Sequence, residues 1–337
     1  MVSQPHRRVD RAAALTPAAA LAVAAAFGID VDGAQAVALA GGYSNETIRI
    51  DARAGRFVVR RYGRLHVARS AIAFEHAVML HAAARMSEIA APLRAGAGTI
   101  VLAPAGGLCA VLPYVDGTAG RRDLDTGCAV ARVLARFHRA LHDLHVTDGM
   151  RSSRFLGALP WLRERFTRFA ADPLVARKLD WSGLVAAVTA ATAHVAPRAA
   201  NLPQVIVHGD PNPGNAIAGD PGEVRALIDF DFAHQTERVY DVGTLLDEFG
   251  RAGDDEPLDL DRIAPLVAAY AEEAPMTHAE REVVPEAMLR RAATLVWYVA
   301  TRHGERVPGD LGGAPRYAAR AAEIVAHAAE IRAAAAG

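Results

Sequence analysis

Three polar side chains follow two short apolar runs in the middle of the sequence. The first run ends at Val207 and leads through His208 to Asp210. Asn215 comes five residues later, in a loop rich in proline and glycine, and the second run leads to Asp229. Each run predicts a short buried strand that ends in a turn. Two such strand–loop units can bring the carboxylates and the amide to one point.

Two carboxylates and an amide in this order suit phosphoryl transfer. Asp210 can accept the proton of an attacking hydroxyl, while Asn215 and Asp229 can hold magnesium on nucleotide phosphates. The alternative is that all three are ordinary turn residues, since Asp, Asn, Gly and Pro favour turns through local hydrogen bonds. The order of the set between two apolar runs favours the chemical interpretation.

The Asp-x-x-x-x-Asn spacing, followed by an Asp after a strand, is the catalytic arrangement of protein kinases. His208-Gly-Asp in place of His-Arg-Asp, and Ile-Asp229-Phe-Asp in place of Asp-Phe-Gly, resemble the aminoglycoside phosphotransferase family, which includes homoserine kinase-like members. The resemblance implies an α+β, bilobal protein-kinase-like fold with a small antiparallel-sheet N-lobe and a larger, mainly helical C-lobe. It also implies that Asp210 is the catalytic base, that Asn215 and Asp229 are the metal ligands, and that His208 braces the catalytic loop.

A glycine-containing turn between two predicted strands lies upstream. Glycine lets backbone N–H groups and small hydroxyls approach nucleotide phosphates closely, although any hairpin can carry a glycine pair. The turn resembles that of homoserine kinase-like phosphotransferases. We therefore expect these turn residues to contact ATP: Gly41, Gly42, Ser44 and Asn45.

The next predicted strand carries Arg60 where protein kinases have a lysine for the α- and β-phosphates. The single lysine, Lys178, lies far downstream, so no lysine of the first lobe can do this. An arginine is always cationic and forks onto phosphate oxygens. Glu75, in a Phe-Glu-His segment that resembles the family, is the candidate to orient Arg60; the alternative is a solvated helix carboxylate. The arginine also leaves open a catalytically weak, nucleotide-binding protein of kinase fold (a pseudokinase).

A strand that ends near residue 115 would form the hinge of such a fold. We expect backbone groups of the segment from Leu112 to Tyr114 to bond adenine there. The predicted division is therefore an N-terminal nucleotide-binding lobe over residues 1–115, with a leading helix in residues 1–30, and a C-terminal catalytic and acceptor-binding lobe over residues 116–337.

Several charged residues downstream have two interpretations. Asp241 resembles the family's structural aspartate, which anchors the backbone of the catalytic loop. His138 and His142 lie one helical turn apart, which is more typical of packing than of a metal site. The acidic run from Asp247 to Glu256 could serve a cationic acceptor, but a charge run in a Gly/Pro loop is usually solvated surface.

Composition limits the partners. The chain has 337 residues, of which 52% are hydrophobic and 22% charged, which indicates a globular protein. Its net charge of −1 provides no basic field for nucleic acid or anionic lipid. No apolar run approaches the roughly 20 residues of a membrane span. Cys109 and Cys128 are too few for a disulfide framework. We expect a cytoplasmic protein and no nucleic-acid or membrane partner.

The function predicted from these observations is ATP-dependent O-phosphotransfer to a small molecule. The γ-phosphate would move to a hydroxyl of an amino-alcohol, amino-acid or antibiotic-like acceptor, with ATP and Mg²⁺ as cofactors. A protein kinase is disfavoured because no activation loop fits between Asp229 and Asp241. A metal-dependent hydrolase would need histidine ligands that the sequence does not place. The sequence indicates no oligomeric state.

Overall fold

A computed structural model of the protein describes residues 14–39, 45–63, 68–96, 98–104, 106–145 and 158–337. These residues form two compact units. The first comprises the described parts of Met1–Leu80 and Ala90–Tyr114, and the second those of His81–Ile89, Val115–Val146 and Arg154–Gly337. Within the described ranges, no helix combines the length and the apolar character needed to cross a bilayer.

The first unit is a sheet with helices. Its elements are α1 Pro17–Ala26, β1 Gln35–Ala38, β2 Glu46–Ala52, β3 Gly55–Arg61, α2 Arg69–Ala83 (whose last turn belongs to the second unit), β4 Val101–Leu102 and β5 Leu108–Pro113. The five strands are antiparallel, in the order β1-β2-β3-β5-β4. Helix α1 begins as the sequence predicts, because the Thr16 side chain accepts a hydrogen bond from the N–H of Ala19 and Pro17 occupies the first turn.

The core of the first unit lies between α1 and one face of the sheet. The helix contributes Val23 and Ala24, and β2 contributes Ile48 and Ile50, which point to the same face because side chains alternate along a strand. All four side chains are buried. This packing holds β2 and β3 in register, and β3 carries Arg60.

The second unit is mainly helical. Its helices are α3 Leu124–Ala140, α4 Leu159–Ala171, α5 Trp181–Val195, α6 Val239–Phe249, α7 Ile263–Glu273, α8 His278–Glu282, α9 Val284–Gly304, α10 Ala314–Ala326 and α11 Ala328–Ala336. Its strands are β6 Thr118–Ala119, β7 Gln204–Val207, β8 Ala216–Ala218, β9 Val224–Leu227 and β10 His234–Glu237. Strand β7 pairs with β10, and β8 lies between β6 and β9; all of these pairs are antiparallel.

Helices α6 and α9 pack against each other at very short range. A Cβ atom added to Gly243 of α6 would lie 2.5 Å from the carbonyl carbon of Ala287 and 2.6 Å from the nitrogen of Met288, both in the α9 backbone. Only glycine allows this approach. The contact fixes the part of α9 that carries Arg291, one turn beyond Ala287.

We expect Gly243→Ala to destabilise the protein. The new methyl group meets backbone atoms that cannot rotate away, so the two helices must separate, and overpacking of this kind costs about 1–3 kcal/mol. Thermal unfolding followed by circular dichroism should show a melting temperature several degrees below wild type. Gly304→Ala is the matched control on α9, because its nearest new neighbour lies 3.8 Å away. Equal melting temperatures for the two variants would contradict the packing argument.

Candidate active site

The turn after β7 is anchored by Asp241, in the first turn of α6. One oxygen of its carboxylate (Oδ2) accepts the backbone N–H of His208 at 2.7 Å, and the other (Oδ1) accepts that of Gly209 at 2.8 Å. The Nε2 atom of His138 lies 3.0 Å from Oδ2, and its Nδ1 lies 2.7 Å from the hydroxyl of Tyr270. Asp241 therefore anchors the loop backbone, as the resemblance implied. His138 belongs to this packing arrangement.

The Asp241 carboxylate is charged although it is completely buried. Burial alone would raise the pKa, but the hydrogen bond and charge of His138, followed by His208 and the N–H of Gly209, hold the pKa of Asp241 below its ordinary value. Glycine is required at 209, because its φ is 84° and a Cβ atom there would lie 2.2 Å from the carbonyl oxygen of Phe232.

His208 is a positioning residue. Its side chain is fully buried, its Nδ1 accepts the backbone N–H of Asp210 at 3.3 Å, and its Nε2 lies 3.0 Å from the carbonyl oxygen of Ile228. Since Nδ1 accepts a hydrogen bond, Nε2 carries the ring proton and donates a hydrogen bond to that carbonyl. The ring thus ties the loop before Asp210 to the segment before Asp229. Both ring nitrogens contact backbone groups, which is the geometry that the predicted bracing role requires.

The loop brings Asp210 and Asn215 into contact and the backbone at Asp229 close to them. Asn215 donates from Nδ2 to the carbonyl oxygen of Asp210 at 2.9 Å and to its Oδ2 at 3.1 Å. The N–H of Ile228 donates to the carbonyl oxygen of Asn215 at 2.9 Å, which places Asp229, the next residue, beside Asn215. The φ of Asp229 is 64°, and it is the single non-glycine residue with positive φ in the described ranges. Strained backbone of this kind is characteristic of functional sites.

The donor set fits a magnesium ion that is shared with phosphates. Within the described ranges, no group of three or more His, Cys, Asp or Glu residues could hold a metal. Magnesium, however, is commonly held by only one or two carboxylates together with water and substrate phosphates. Asn215 uses its Nδ2 on Asp210, so its amide oxygen is the end suited to a cation. With the Asp229 carboxylate it would form such a partial set.

Arg291 is the site residue that the sequence did not reveal. Its Nη2 donates to Oδ1 of Asp210 and lies 3.5 Å from Oε1 of Glu248. Side-chain exposure is 5% for Arg291, 7% for Glu248 and 15% for Asp210. Burial raises the pKa of the Asp210 carboxyl above its ordinary value, although the charge of Arg291 opposes this. Nothing in the sequence signals a contact across 81 residues.

The interpretation of the acidic run as solvated surface is wrong for its first two residues. Asp247 and Glu248 are buried, because α6 continues to Phe249 and is enclosed along its whole length. Asp247 lies 3.3 Å from Nε of Arg251 and 3.6 Å from Nη1 of Arg320. The later members of the run, Asp254 to Glu256, are exposed as expected.

In the first unit, Arg60 of β3 meets Glu75 of α2. The Nη1 of Arg60 lies 3.4 Å from Oε1 of Glu75, and the two side chains are 9% and 3% exposed. The hydroxyl of Tyr62 donates to the same oxygen at 3.4 Å, and the guanidinium carbon of Arg60 lies 5.1 Å from the centre of the Tyr62 ring. Glu75 is therefore not a solvated helix carboxylate.

Of the predicted phosphate-binding turn, Asn45 is described. Its Oδ1 accepts the N–H of Gly63 at 3.2 Å. The other three residues lie outside the described ranges: Gly41, Gly42 and Ser44.

The predicted adenine contacts lie at the end of β5, where the backbone pairs with β3. The N–H of Tyr114 donates to the carbonyl oxygen of Arg56 at 3.0 Å. Leu112 stands opposite Val58 two residues away in the same register, so its backbone also faces β3. The intervening residue, Pro113, directs its carbonyl away from β3. Pro113 lies inside the predicted hinge segment, and contact of that segment with adenine stays a prediction.

His76 lies beside the Arg60–Glu75 pair. Its Nε2 is 2.7 Å from the hydroxyl of Tyr62, and its Nδ1 is 2.7 Å from that of Thr99. Burial, with a smaller contribution from Arg60, lowers the pKa of His76 to about 4 from 6.5. The folded protein therefore requires the neutral imidazole.

We expect His76 to make the protein less stable in mild acid. Below about pH 6.5 the unfolded chain takes up a proton that the folded chain refuses until about pH 4, so stability falls through this window. Between pH 7 and pH 4.5 the free energy of unfolding should drop by about 2.5 kcal/mol more in wild type than in His76→Gln. Urea denaturation measures this, with His142→Gln, whose side chain is 73% exposed, as control. An equal drop in wild type and His76→Gln would contradict the assignment.

We expect Asp241→Asn to weaken the loop anchor. The amide puts an NH₂ group against backbone donors and leaves His138 with a poorer acceptor, and breaking a buried pair of this kind costs about 3–5 kcal/mol. Urea denaturation followed by circular dichroism gives the loss. Asp220→Asn, at an exposed position in the turn between β8 and β9, is the control and should unfold like wild type. A stable Asp241→Asn variant would show that the anchor is dispensable.

Comparison with known proteins agrees with this geometry. A family model described as "Phosphotransferase enzyme family" matches residues 35–276. A homoserine kinase of Rhodopseudomonas palustris is 28% identical over 261 residues, covering 76% of this chain and 75% of its own. A microcompartment-associated aminopropanol kinase superposes with a TM-score of 0.65 at 17% identity, over 92% of this chain and 98% of that one. An aminoglycoside phosphotransferase from Alicyclobacillus acidocaldarius gives 0.61 at 19% identity, over 90% and 92%. The predicted protein-kinase-like fold is confirmed.

Proposed function

The chain belongs to the phosphotransferase enzyme family, and we propose that Asp210 is the residue that accepts the hydroxyl proton in its reaction. The enzyme is an ATP-dependent phosphotransferase that acts on a hydroxyl group of a small molecule. The observation that carries the assignment is the contact of Asp210 with Asn215, beside Asp229, in a loop whose backbone the buried Asp241 carboxylate holds.

The proposed step is an in-line displacement at the γ-phosphorus of ATP. The acceptor oxygen forms a bond to phosphorus while the bond from phosphorus to the β–γ bridging oxygen breaks, so ADP leaves with the electron pair. The hydroxyl proton passes to the Asp210 carboxylate. Asn215 keeps that carboxylate oriented through its hydrogen bond to Oδ2.

Asn215 and Asp229 would hold Mg²⁺, which when bound neutralises charge on the nucleotide phosphates. Arg60, oriented by Glu75, would neutralise the α- and β-phosphates in place of the usual lysine. The turn of Gly41, Gly42, Ser44 and Asn45 would contact the phosphates. In this proposal residues 1–115 bind the nucleotide and residues 116–337 supply the base and the acceptor site.

The acceptor is proposed to be a small compound that carries both an amine and a hydroxyl. The homoserine kinase of Rhodopseudomonas palustris acts, by its name, on a hydroxy amino acid, and the aminopropanol kinase on an amino alcohol. Both acceptors carry the two groups.

We expect Asp210→Asn to slow phosphate transfer by at least about 10²-fold, the scale of lost proton acceptance. ADP release is measured with ATP, Mg²⁺ and a panel of hydroxy amino acids, amino alcohols and amino sugars. Asp220→Asn is the matched control and should keep the wild-type rate. If Asp210→Asn transfers phosphate at the wild-type rate, Asp210 is not the residue that accepts the hydroxyl proton. A wild type that binds ATP but transfers no phosphate to any acceptor supports the catalytically weak alternative.

We expect the effect of ATP on thermal stability to depend on Mg²⁺ through Asn215 and Asp229. In wild type, ATP with Mg²⁺ should raise the melting temperature more than ATP with EDTA, because binding to the folded state alone stabilises it. Asn215→Ala and Asp229→Ala should reduce this difference. If both variants retain the full Mg²⁺-dependent shift, they are not the metal ligands.

A further inference from the structure

We propose that Arg291 and Glu248 are the residues that select the acceptor, with Arg291 binding a carboxylate and Glu248 an ammonium group. The acceptor class is then a small hydroxy amino acid and not a simple amino alcohol. This inference rests on the proposed function, in which Asp210 receives the hydroxyl proton.

The first observation is that Asp210 is held on both sides. Its Oδ1 accepts Nη2 of Arg291, and its Oδ2 accepts Nδ2 of Asn215. A guanidinium in contact with a carboxylate stabilises the charged form and makes it a weaker proton acceptor. Proton transfer to Asp210 therefore benefits from an acceptor that draws Arg291 onto another anion.

The second observation is that Arg291 has unused hydrogen-bonding capacity where it is buried. Its Nε has no hydrogen-bond partner among the described residues, and the same holds for the hydroxyl of Thr294, three positions along α9. Residues at this spacing share one face of a helix. Arg291 is 4% exposed and Thr294 is 1% exposed. Buried donors are rarely left unpaired, so these two atoms indicate a ligand that accepts hydrogen bonds.

A carboxylate meets that requirement. The Nε and Nη2 groups lie on one edge of the guanidinium, and a carboxylate binds such an edge through two parallel hydrogen bonds. One of the two groups on this edge is in use, since Nη2 contacts Asp210 while Nε has no hydrogen-bond partner among the described residues. A ligand carboxylate would occupy both groups and release Oδ1 of Asp210.

Glu248 supplies the complementary charge. Its Oε2 lies 2.9 Å from Nη2 of Arg122, a close pair. Among the described residues, the cations near its Oε1 are more distant: Arg291 at 3.5 Å and Arg320 at 4.0 Å. Oε1 is thus the oxygen that can take an ammonium group when Arg291 turns to the ligand. A zwitterion adds no net charge to this buried cluster, because its carboxylate and ammonium each replace a contact within it.

An amino alcohol fits the same cluster less well. It brings an ammonium group but no anion, so Arg291 stays on Asp210 and the cluster gains a positive charge that burial disfavours. The carboxylate is therefore the group by which this site distinguishes its acceptor.

The test compares hydroxy amino acids with their decarboxylated counterparts in the wild-type enzyme. The pairs are serine and ethanolamine, threonine and 1-aminopropan-2-ol, and homoserine and 3-aminopropan-1-ol. We expect at least one amino acid to be phosphorylated with a kcat/KM at least about 10²-fold above that of its partner, because without the carboxylate Arg291 stays on Asp210 and the buried Nε group gains no acceptor. Arg291→Gln should abolish this preference, chiefly through KM, and Arg291→Lys should restore part of it. Glu248→Gln should raise the KM for the amino acid.

Several outcomes would overturn the inference. One is that each amino alcohol is phosphorylated with the same kcat/KM as its amino acid. Another is that Arg291→Gln keeps the preference for the amino acid. A third is that the wild type phosphorylates none of the three amino acids. An unchanged shift of melting temperature with MgADP shows that each variant is folded. Asp210→Asn separates the two hypotheses. If this variant keeps full activity, the proposed function fails. If this variant is inactive but the wild type shows no preference for the amino acids, only the acceptor assignment fails.

Discussion

The buried Asp241 carboxylate is the interaction on which the site depends. It accepts the backbone N–H groups of His208 and Gly209 and is kept charged by His138. A charged acceptor makes stronger hydrogen bonds to backbone donors than a neutral one. The loop that carries Asp210 therefore has a fixed backbone before any ligand binds. Because Asp241 lies on α6, that backbone is also tied to the helix that packs against α9 at Gly243.

The close packing of α6 on α9 explains why so many charges are buried together. With Gly243 at the contact, α6 lies so close to α9 that its Asp247 and Glu248 side chains meet arginines of α9 and α10. Burying an isolated charge is very costly, so each carboxylate in this seam has a guanidinium near it. Asp210 belongs to the same set of paired carboxylates and guanidinium groups through its contact with Arg291. The seam thus sets the charge environment of the proposed base.

The sequence reveals the parts of this site that depend on local order. The positions of Asp210, Asn215 and Asp229 follow from two apolar runs and the turns after them. Arg291 could not be found in this way, because its partner is 81 residues distant and a helical arginine usually faces solvent. Asp247 and Glu248 were misjudged for the same reason: burial of α6 is a property of the packed helices around it.

The two proposed binding functions use the same physical device. Arg60 is buried against Glu75 in the first unit, and Arg291 is buried against Asp210 and Glu248 in the second. A guanidinium tolerates burial better than an ammonium because its charge is delocalised and weakly hydrated. Its desolvation cost is then met during folding, so a phosphate or carboxylate that replaces one of its contacts meets a cation that is already dry and oriented. This offers a physical reason why a chain with a single lysine can bind anions through arginine in both units.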